Sequence, residues 1–153
     1  PRTQCKVRTV KVAILLLAAG RGSRFGGPIP KAYLRLAGKT LLEHSAERLV
    51  QALGDLHRCE LVVAVHPDDR ASHLAACLPK LAAIDPRVPV HCVDGGSTRQ
   101  ESMTRCLAAC PVDADLIVVH DAARALVPIA AARACVAAAA AHGAALLAIP
   151  APD

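Results

Sequence analysis

The chain alternates between two kinds of segment along almost its whole length, and this alternation restricts the folds open to it. Apolar runs of strand length recur at 11–19, 60–66, 88–94, 115–121 and 144–150. Segments with a helical spacing of apolar residues lie between them, at 40–53, 68–81, 97–110 and 128–143. Because the short runs are continuously apolar, both faces of each strand should be buried under helices. The pattern predicts a Rossmann-like, three-layer α/β/α fold with a mostly parallel sheet.

The length of 153 residues fits one globular domain that can bury a core of its own. Residues 1–10 are basic and precede the first apolar run, so we expect a flexible leader at 1–10 and a folded core at 11–153. Aromatic residues make up only 1% of the chain. The core must therefore be built from Ala, Val, Leu and Ile, which suits helices packed on a sheet.

Charge and cysteine content narrow the class of partner. The net charge is +5, but the basic residues are scattered and no aromatic residues are interleaved with them, so nucleic acid is not an expected partner. A phosphorylated metabolite is compatible with this excess. The apolar run 12–19 is too short to cross a bilayer, so no membrane association is expected. The seven cysteines are odd in number and mostly lie in apolar segments without a CxxC pair, which favours reduced thiols in the cytoplasm over a zinc site.

The loop after the first predicted strand combines glycines with cations. Ligands bind at the carboxyl ends of strands in an open parallel sheet, so the loops at these ends hold the candidate site. Here the chain reads GRGSRFGGPIPK from Gly20 to Lys31, with basic residues that include Arg24. Glycine backbone amides can surround a phosphate, and the cations add positive charge. A dinucleotide fingerprint lacks its third glycine at Phe25, and a P-loop ending in GKT at 38–40 lacks its first at Tyr33.

Two further loops follow predicted strands. In VDGGSTRQES, residues 93–102, the paired glycines allow close backbone approach and Ser97 or Thr98 can cap the next helix. Arg99 and Ser102 either face the crevice or are ordinary surface residues. In VHDAAR, residues 119–124, Asp121 offers a carboxylate to Mg²⁺ and Arg124 a cation to a phosphate. The alternative is that Asp121 caps a helix and Arg124 is solvated.

Taken together, LAAGRGSRFGGPIPKAY, DGGSTRQES and VHDAAR resemble, in order and spacing, the motifs of the 2-C-methyl-D-erythritol 4-phosphate cytidylyltransferases. The resemblance implies transfer of CMP from CTP to methylerythritol phosphate with release of pyrophosphate, in non-mevalonate isoprenoid precursor biosynthesis. It also implies a Mg²⁺ requirement and a cytoplasmic homodimer. A ribitol-5-phosphate cytidylyltransferase and a non-catalytic nucleotide-binding regulatory domain are the alternatives.

The same resemblance implies roles for individual residues. Arg24 and Lys31 would stabilise charge on the α-phosphate, while Asp121 would hold Mg²⁺ and, with Arg124, bind the acceptor. The remaining residues would contact the nucleotide, and they are Ala18, Ala19, Gly20, Gly22, Gly96, Ser97, Ser102 and Ala122. Ser97 stands where the family often has Asp, Ala32 where Gln is common, and Ala125 where Pro is common.

The family's chains continue for roughly half as many residues again, through an arm that reaches into the partner subunit and then a second catalytic lysine. This sequence ends about where that arm begins, with a predicted strand and no covering helix. We therefore expect a nucleotidyltransferase core that lacks the dimerisation arm and the final elements. Such a core is expected to bind CTP with Mg²⁺ and to turn over poorly.

Overall fold

The computed structural model describes residues 9–20 and 27–149, and their centre is a four-stranded parallel sheet. The strands lie in the order β5-β4-β1-β6, and a separate two-stranded antiparallel ribbon joins β2 to β3. In chain order the elements are β1 (Lys11–Leu17), a 3-10 turn (Lys31–Tyr33), β2 (Arg35–Leu36), β3 (Lys39–Thr40), α1 (Leu41–Leu53), β4 (Arg58–Val65), a π-helical turn (Arg70–Leu74), α2 (Ala75–Ala82), β5 (Val90–Asp94), α3 (Arg99–Ala108), β6 (Leu116–Asp121) and α4 (Ile129–His142).

The first strand forms the centre of the sheet. Ile14 pairs with Leu61 of β4 on one side and with Val118 of β6 on the other. Successive side chains of a strand point to opposite faces, so a continuously apolar strand needs cover on both. This is what the chain provides, because α1, α2 and α4 pack on one face and α3 packs on the other. The predicted three-layer fold with a parallel sheet is confirmed.

Two of the helices, α1 and α3, begin at a threonine whose side chain caps them. Thr40 and Glu43 form a capping box at the start of α1, in which the Glu43 amide donates to Thr40 Oγ1 at 3.1 Å and the Thr40 amide donates to Glu43 Oε2 at 2.8 Å. At α3 the cap is Thr98, whose Oγ1 accepts from the Glu101 amide at 3.0 Å. The sequence predicted Ser97 or Thr98 as the cap of this helix. The structure shows that Thr98 caps α3, and the Ser97 hydroxyl bonds to Glu101 instead.

The predicted strand at 144–150 is wrong in the part that is described. Residues 144–149 form neither strand nor helix, and Leu146 and Ile149 are 87% and 86% exposed. A strand needs a neighbouring edge to satisfy its backbone N–H and C=O groups, and this segment pairs with none of the described strands. An apolar run alone is therefore not enough to make a strand.

Two other expectations concern the termini and membranes. Residues 1–8 of the expected leader lie outside the described residues, whereas Val10 already packs against the core and its carbonyl accepts from the Arg58 amide at 3.0 Å. Among the described helices, none has the length and hydropathy that a membrane span requires.

Candidate active site

A cavity of about 460 Å³ opens at the carboxyl ends of β1 and β6. This is the edge of the sheet at which open parallel folds bind ligands. Most of the residues predicted for the site line it, and they are Ala18, Ala19, Gly20, Lys31, Gly96, Ser97, Ser102 and Asp121. They come from four separate parts of the sequence, and the parallel sheet brings them together.

The floor of the cavity is the end of β1. The Ala18 amide donates to the Ala64 carbonyl at 2.8 Å, and Ala18 and Ala19 are buried, whereas Gly20 is exposed. Ala122, which was also predicted to contact the nucleotide, is fully buried and does not line the cavity. Its amide donates to the Leu17 carbonyl and its carbonyl accepts from Ser45 Oγ, so both of its backbone groups are already used.

Lys31 stands on a firmly held turn. Its neighbours Ala32 and Tyr33 are buried, and the Tyr33 ring stacks on the His73 ring with centroids 4.8 Å apart. The backbone of the turn is closed by a bond from the Leu34 amide to the Lys31 carbonyl at 3.1 Å. Lys31 itself is exposed and lines the cavity. The structure thus fixes the backbone from which this cavity-lining side chain extends.

The paired glycines of the β5–α3 loop make close contacts, as predicted, but with the protein itself. A Cβ on Gly95 would lie 2.1 Å from the Ala19 Cβ, and a Cβ on Gly96 would lie 2.2 Å from the Glu101 Cβ. Neither position has room for any side chain. The loop is therefore pressed against the end of β1 on one side and against α3 on the other.

The two serines of this loop region behave differently. Ser102 is buried, and its Oγ accepts from the Gly96 amide at 3.1 Å and donates to the Thr98 carbonyl at 3.0 Å. Ser97 is exposed, and its amide and hydroxyl both donate to Glu101 Oε2, at 2.6 and 2.9 Å. These bonds hold the pKa of Glu101 below its usual value. Sequence reasoning missed Glu101, although its position one helical turn after Ser97 was a usable signal.

Asp121 is bound by two guanidinium groups. Its Oδ1 accepts from Arg99 Nε and Nη2, both at 3.1 Å, and its Oδ2 accepts from Arg124 Nε at 3.2 Å. Asp121 does not cap a helix, because α4 begins only at Ile129. Arg99 lines the cavity, which favours the crevice-facing alternative for it. The site gathers more positive than negative charge, which suits an anionic ligand.

Arg124 does not line this cavity but a second, larger one of about 860 Å³ beside β6 and α4, which Asp121 also lines. This second cavity is lined mostly by apolar residues, which include Val118, Val127 and Leu146.

Within the described ranges 9–20 and 27–149, no group of three His, Cys, Asp or Glu side chains is placed to hold a metal ion. A divalent ion at this site would need ligands from its substrate in addition to Asp121.

The sequence from the first strand to residue 153 identifies the family. The sequence model of the 2-C-methyl-D-erythritol 4-phosphate cytidylyltransferases matches residues 12–153. The chain belongs to this family.

Curated cytidylyltransferases from several bacteria are similar to this chain in sequence. The protein of that name from Chromobacterium violaceum is 42% identical over 142 residues, which cover 91% of this chain and 58% of the relative. The Gloeobacter violaceus protein is 39% identical over 140 residues, covering 92% and 57%. The Psychrobacter arcticus protein is 40% identical over 124 residues, covering 78% and 40%. The chain therefore spans about half the length of the curated relatives it matches.

Solved structures support the fold. The 4-diphosphocytidyl-2C-methyl-D-erythritol synthase of Anaerococcus prevotii superposes with a TM-score of 0.62 at 19% identity, over 79% of this chain and 47% of that one. A manganese complex of Rv0371c from Mycobacterium tuberculosis gives a TM-score of 0.60 at 22% identity, over 88% and 62%. At these identities the likeness concerns the α/β fold alone.

The cytidylyltransferase resemblance also assigned two residues of the glycine-rich loop to the site. Arg24 and Gly22 fall within 21–26, outside the described residues. Their predicted roles, stabilising charge on the α-phosphate and contacting the nucleotide, stay predictions. The described part of the same loop includes Gly20 and Lys31 at its two ends, and both of these line the cavity.

Proposed function

We propose that the chain is the nucleotide-binding core of an enzyme that transfers CMP from CTP to 2-C-methyl-D-erythritol 4-phosphate and releases pyrophosphate. One observation carries the proposal: a chain of this family brings the residues of three separate motifs to one cationic cavity at the carboxyl ends of its central strands. A cavity of about 460 Å³ is within the range of small-molecule sites.

The chemistry needs positioning and charge rather than a covalent intermediate. A phosphate oxygen of the acceptor attacks the α-phosphorus of CTP, the new P–O bond forms, and the bond to the departing pyrophosphate breaks. Negative charge grows on the α-phosphate and on the leaving group. Lys31 lines the cavity where it can offset that charge, and we propose that Arg24 does the same.

Mg²⁺ would neutralise part of the triphosphate charge, and the residues fit an ion held mainly by phosphate oxygens. Asp121 is the carboxylate that lines the cavity, and a single protein carboxylate is compatible with such an ion. Both of its oxygens accept from arginines in this structure, so an ion bound here would compete with Arg99 and Arg124 for the carboxylate. Released, Arg99 and Arg124 would be available to phosphate oxygens.

We assign Arg124 and Asp121 to the acceptor, because Asp121 lines both the nucleotide cavity and the larger cavity beside β6, and Arg124, which bonds to Asp121, lines the larger one. We further propose that the intact protein is a homodimer and is cytoplasmic. The second proposal rests on thiols, since the cysteines of the described ranges are all free.

The test is pyrophosphate release by the intact protein that contains this chain, with CTP and Mg²⁺ and either methylerythritol phosphate or ribitol phosphate. We expect release with the first acceptor only, and a loss of about 100-fold or more in kcat/KM for Lys31→Ala. Lys39→Ala is the matched control, because Lys39 is an exposed lysine that pairs with Glu47 on α1 away from the cavity.

Three results would contradict the proposal in different ways. Pyrophosphate release with ribitol phosphate only would show that the proposed acceptor is wrong and that the proposed type of reaction is correct. CTP binding without release from either acceptor would indicate a regulatory nucleotide site. Equal activity of Lys31→Ala and Lys39→Ala would remove Lys31 from the catalytic machinery.

A further inference from the structure

One face of α3 holds the loop that precedes it. Thr98, Glu101, Ser102 and Arg105 follow each other at helical spacing, so their side chains project from the same side of the helix. Glu101, Ser102 and Arg105 each form a hydrogen bond with a backbone group of residues 94–98, which precede them in the chain. The helix therefore acts as a support for the loop in addition to continuing it.

Arg105 binds the first half of the loop. Its Nη1 donates to the Gly95 carbonyl at 3.0 Å and to the Asp94 carbonyl at 3.3 Å. These two carbonyls are consequently turned toward α3. Arg70, from the π-helical turn, binds the Asp94 carboxylate from the other side.

Glu101 binds the second half. Its Oε2 accepts from the Ser97 amide and hydroxyl, and its side chain lies directly against the Gly96 Cα, where no Cβ would fit. Arg105 is one turn further along the helix and its positive charge favours the ionised carboxylate. Between them, Glu101 and Arg105 bond to both ends of a loop whose Gly96 and Ser97 line the nucleotide cavity.

We propose that Glu101 and Arg105 are positioning residues that hold loop 94–98 in the conformation that receives the nucleotide. The inference rests on the proposed function, because it takes the cavity ligand to be CTP. Both side chains are exposed and neither belongs to the hydrophobic core, so these two residues bury little apolar surface. What they restrict is a loop with two adjacent glycines, which would otherwise sample many backbone conformations. Ordering the loop in advance lowers the entropy that nucleotide binding must supply.

The experiment compares Arg105→Ala, Arg105→Lys and Glu101→Gln in the intact protein. Thr104→Ala is the control, because Thr104 is an exposed neighbour on α3 whose hydroxyl donates only within the helix, to the Gln100 carbonyl. Hydrogen–deuterium exchange of the peptide covering 94–98 reports loop order. Titration calorimetry with CTP and Mg²⁺ reports affinity, and steady-state kinetics separates KM for CTP from kcat.

For Arg105→Ala we expect faster exchange in 94–98 alone and a Kd for CTP that rises about tenfold, the equivalent of one lost charged hydrogen bond. The kcat and the KM for the acceptor should stay within about twofold, since no transition-state contact is lost. Arg105→Lys keeps a cationic donor and should recover most of the affinity. Glu101→Gln keeps an acceptor without the charge and should cost about threefold.

The outcomes separate this inference from the function it rests on. Unchanged exchange in 94–98 for Arg105→Ala overturns the inference, whatever the ligand. Faster exchange with unchanged CTP affinity also overturns it, because the loop conformation would then not matter to the nucleotide. If the parent protein does not bind CTP at all, the proposed function is wrong. Titration of the parent protein gives this result before any variant is made.

Discussion

The two sides of the central strand are built from the same kinds of residue and are buried to very different degrees. On the β4 side, Leu61 and Val62 point to opposite faces and both are completely buried. On the β6 side, Val118 packs against the core, but its neighbours Ile117 and Val119 are 45% and 39% exposed. The difference comes from α3, which packs over β1, β4 and β5. Burial thus depends on which strand a helix covers as well as on how apolar the strand is.

This difference coincides with the division of the candidate site. The nucleotide cavity lies between the end of β6 and the covered side, where the β5–α3 loop is pressed between Ala19 and Glu101. The residues assigned to the acceptor adjoin the open side, where Arg124 is 78% exposed. The covered side offers a preformed surface, and the open side offers room. Substitutions in the two regions test how far this contrast extends, beginning with the largest expected effect.

The contrast in burial should appear directly in stability. Leu61→Ala deletes a fully buried side chain and should lower the free energy of unfolding by about 2–5 kcal/mol. Ile117→Ala removes a half-exposed side chain of β6 and should cost less than about 1 kcal/mol. Chemical denaturation of the two variants measures both values. Similar costs at the two positions would mean that β6 is covered in solution.

The tight packing of the β5–α3 loop predicts an effect of adding one methyl group. Gly95→Ala places a Cβ against Ala19 and should lower the free energy of unfolding by about 1–3 kcal/mol, because backbone on both sides of the contact must shift. Gly20→Ala is the matched comparison for stability, since no atom lies within 4 Å of the added Cβ. Thermal unfolding of the pair measures the difference, and equal melting temperatures would show that the loop is not tightly held.

The helix caps allow a smaller test of the same contrast. Thr40 is buried and caps α1, whereas α4, which packs on β6, has Pro128 at its N-cap position and no side-chain cap. Thr40→Ala should therefore cost about 1 kcal/mol through the lost capping box. Thr104→Ala is an exposed mid-helix control expected to change stability by less than about 0.5 kcal/mol. The denaturant midpoints of the two variants measure these costs. A Thr40→Ala variant as stable as the parent would show that the cap contributes no stability.

The ion pairs near β4 and β5 predict the smallest effect, which depends on pH. The hydrogen bond from Arg87 holds the pKa of Asp85 below its ordinary value of 3.8. A carboxyl whose pKa is lowered on folding stabilises the native state above its unfolded pKa, and this contribution is lost as the pH falls below 3.8 toward the folded value. Asp85→Asn should therefore show a shallower loss of stability than the parent between about pH 4 and pH 3. Parallel pH curves for the two proteins would contradict this role of Asp85.

The sequence predicted much of this molecule for reasons that are local. Continuous apolar runs indicated strands buried on both faces, and four of the five lie in the sheet. Helical spacing located α1, α3 and α4 to within two residues at each end. The cavity also followed from the sequence, because the residues after parallel strands must meet at one edge of the sheet.

Other features depended on contacts with distant segments of the chain, which local sequence patterns do not indicate. The segment 144–149 has the composition of a strand, but none of the described strands pairs with it. Arg99 and Ser102 were equally compatible with a site or a surface, and only the approach of Asp121 and Gly96 decided between these. Asp121 was a possible helix cap until α4 was seen to begin eight residues later.

By itself, the sequence determined the fold class, the family and the group of residues that meet at the carboxyl edge of the sheet. Periodicity and motif spacing record which faces are apolar and where the chain turns, and these properties belong to each segment alone. Only the tertiary structure decided which strands α3 covers, that Asp121 binds two arginines, and that Glu101 and Arg105 support loop 94–98. The physical reason is that burial and hydrogen bonding are properties of pairs of segments, and the identity of each partner is set by how the whole chain packs.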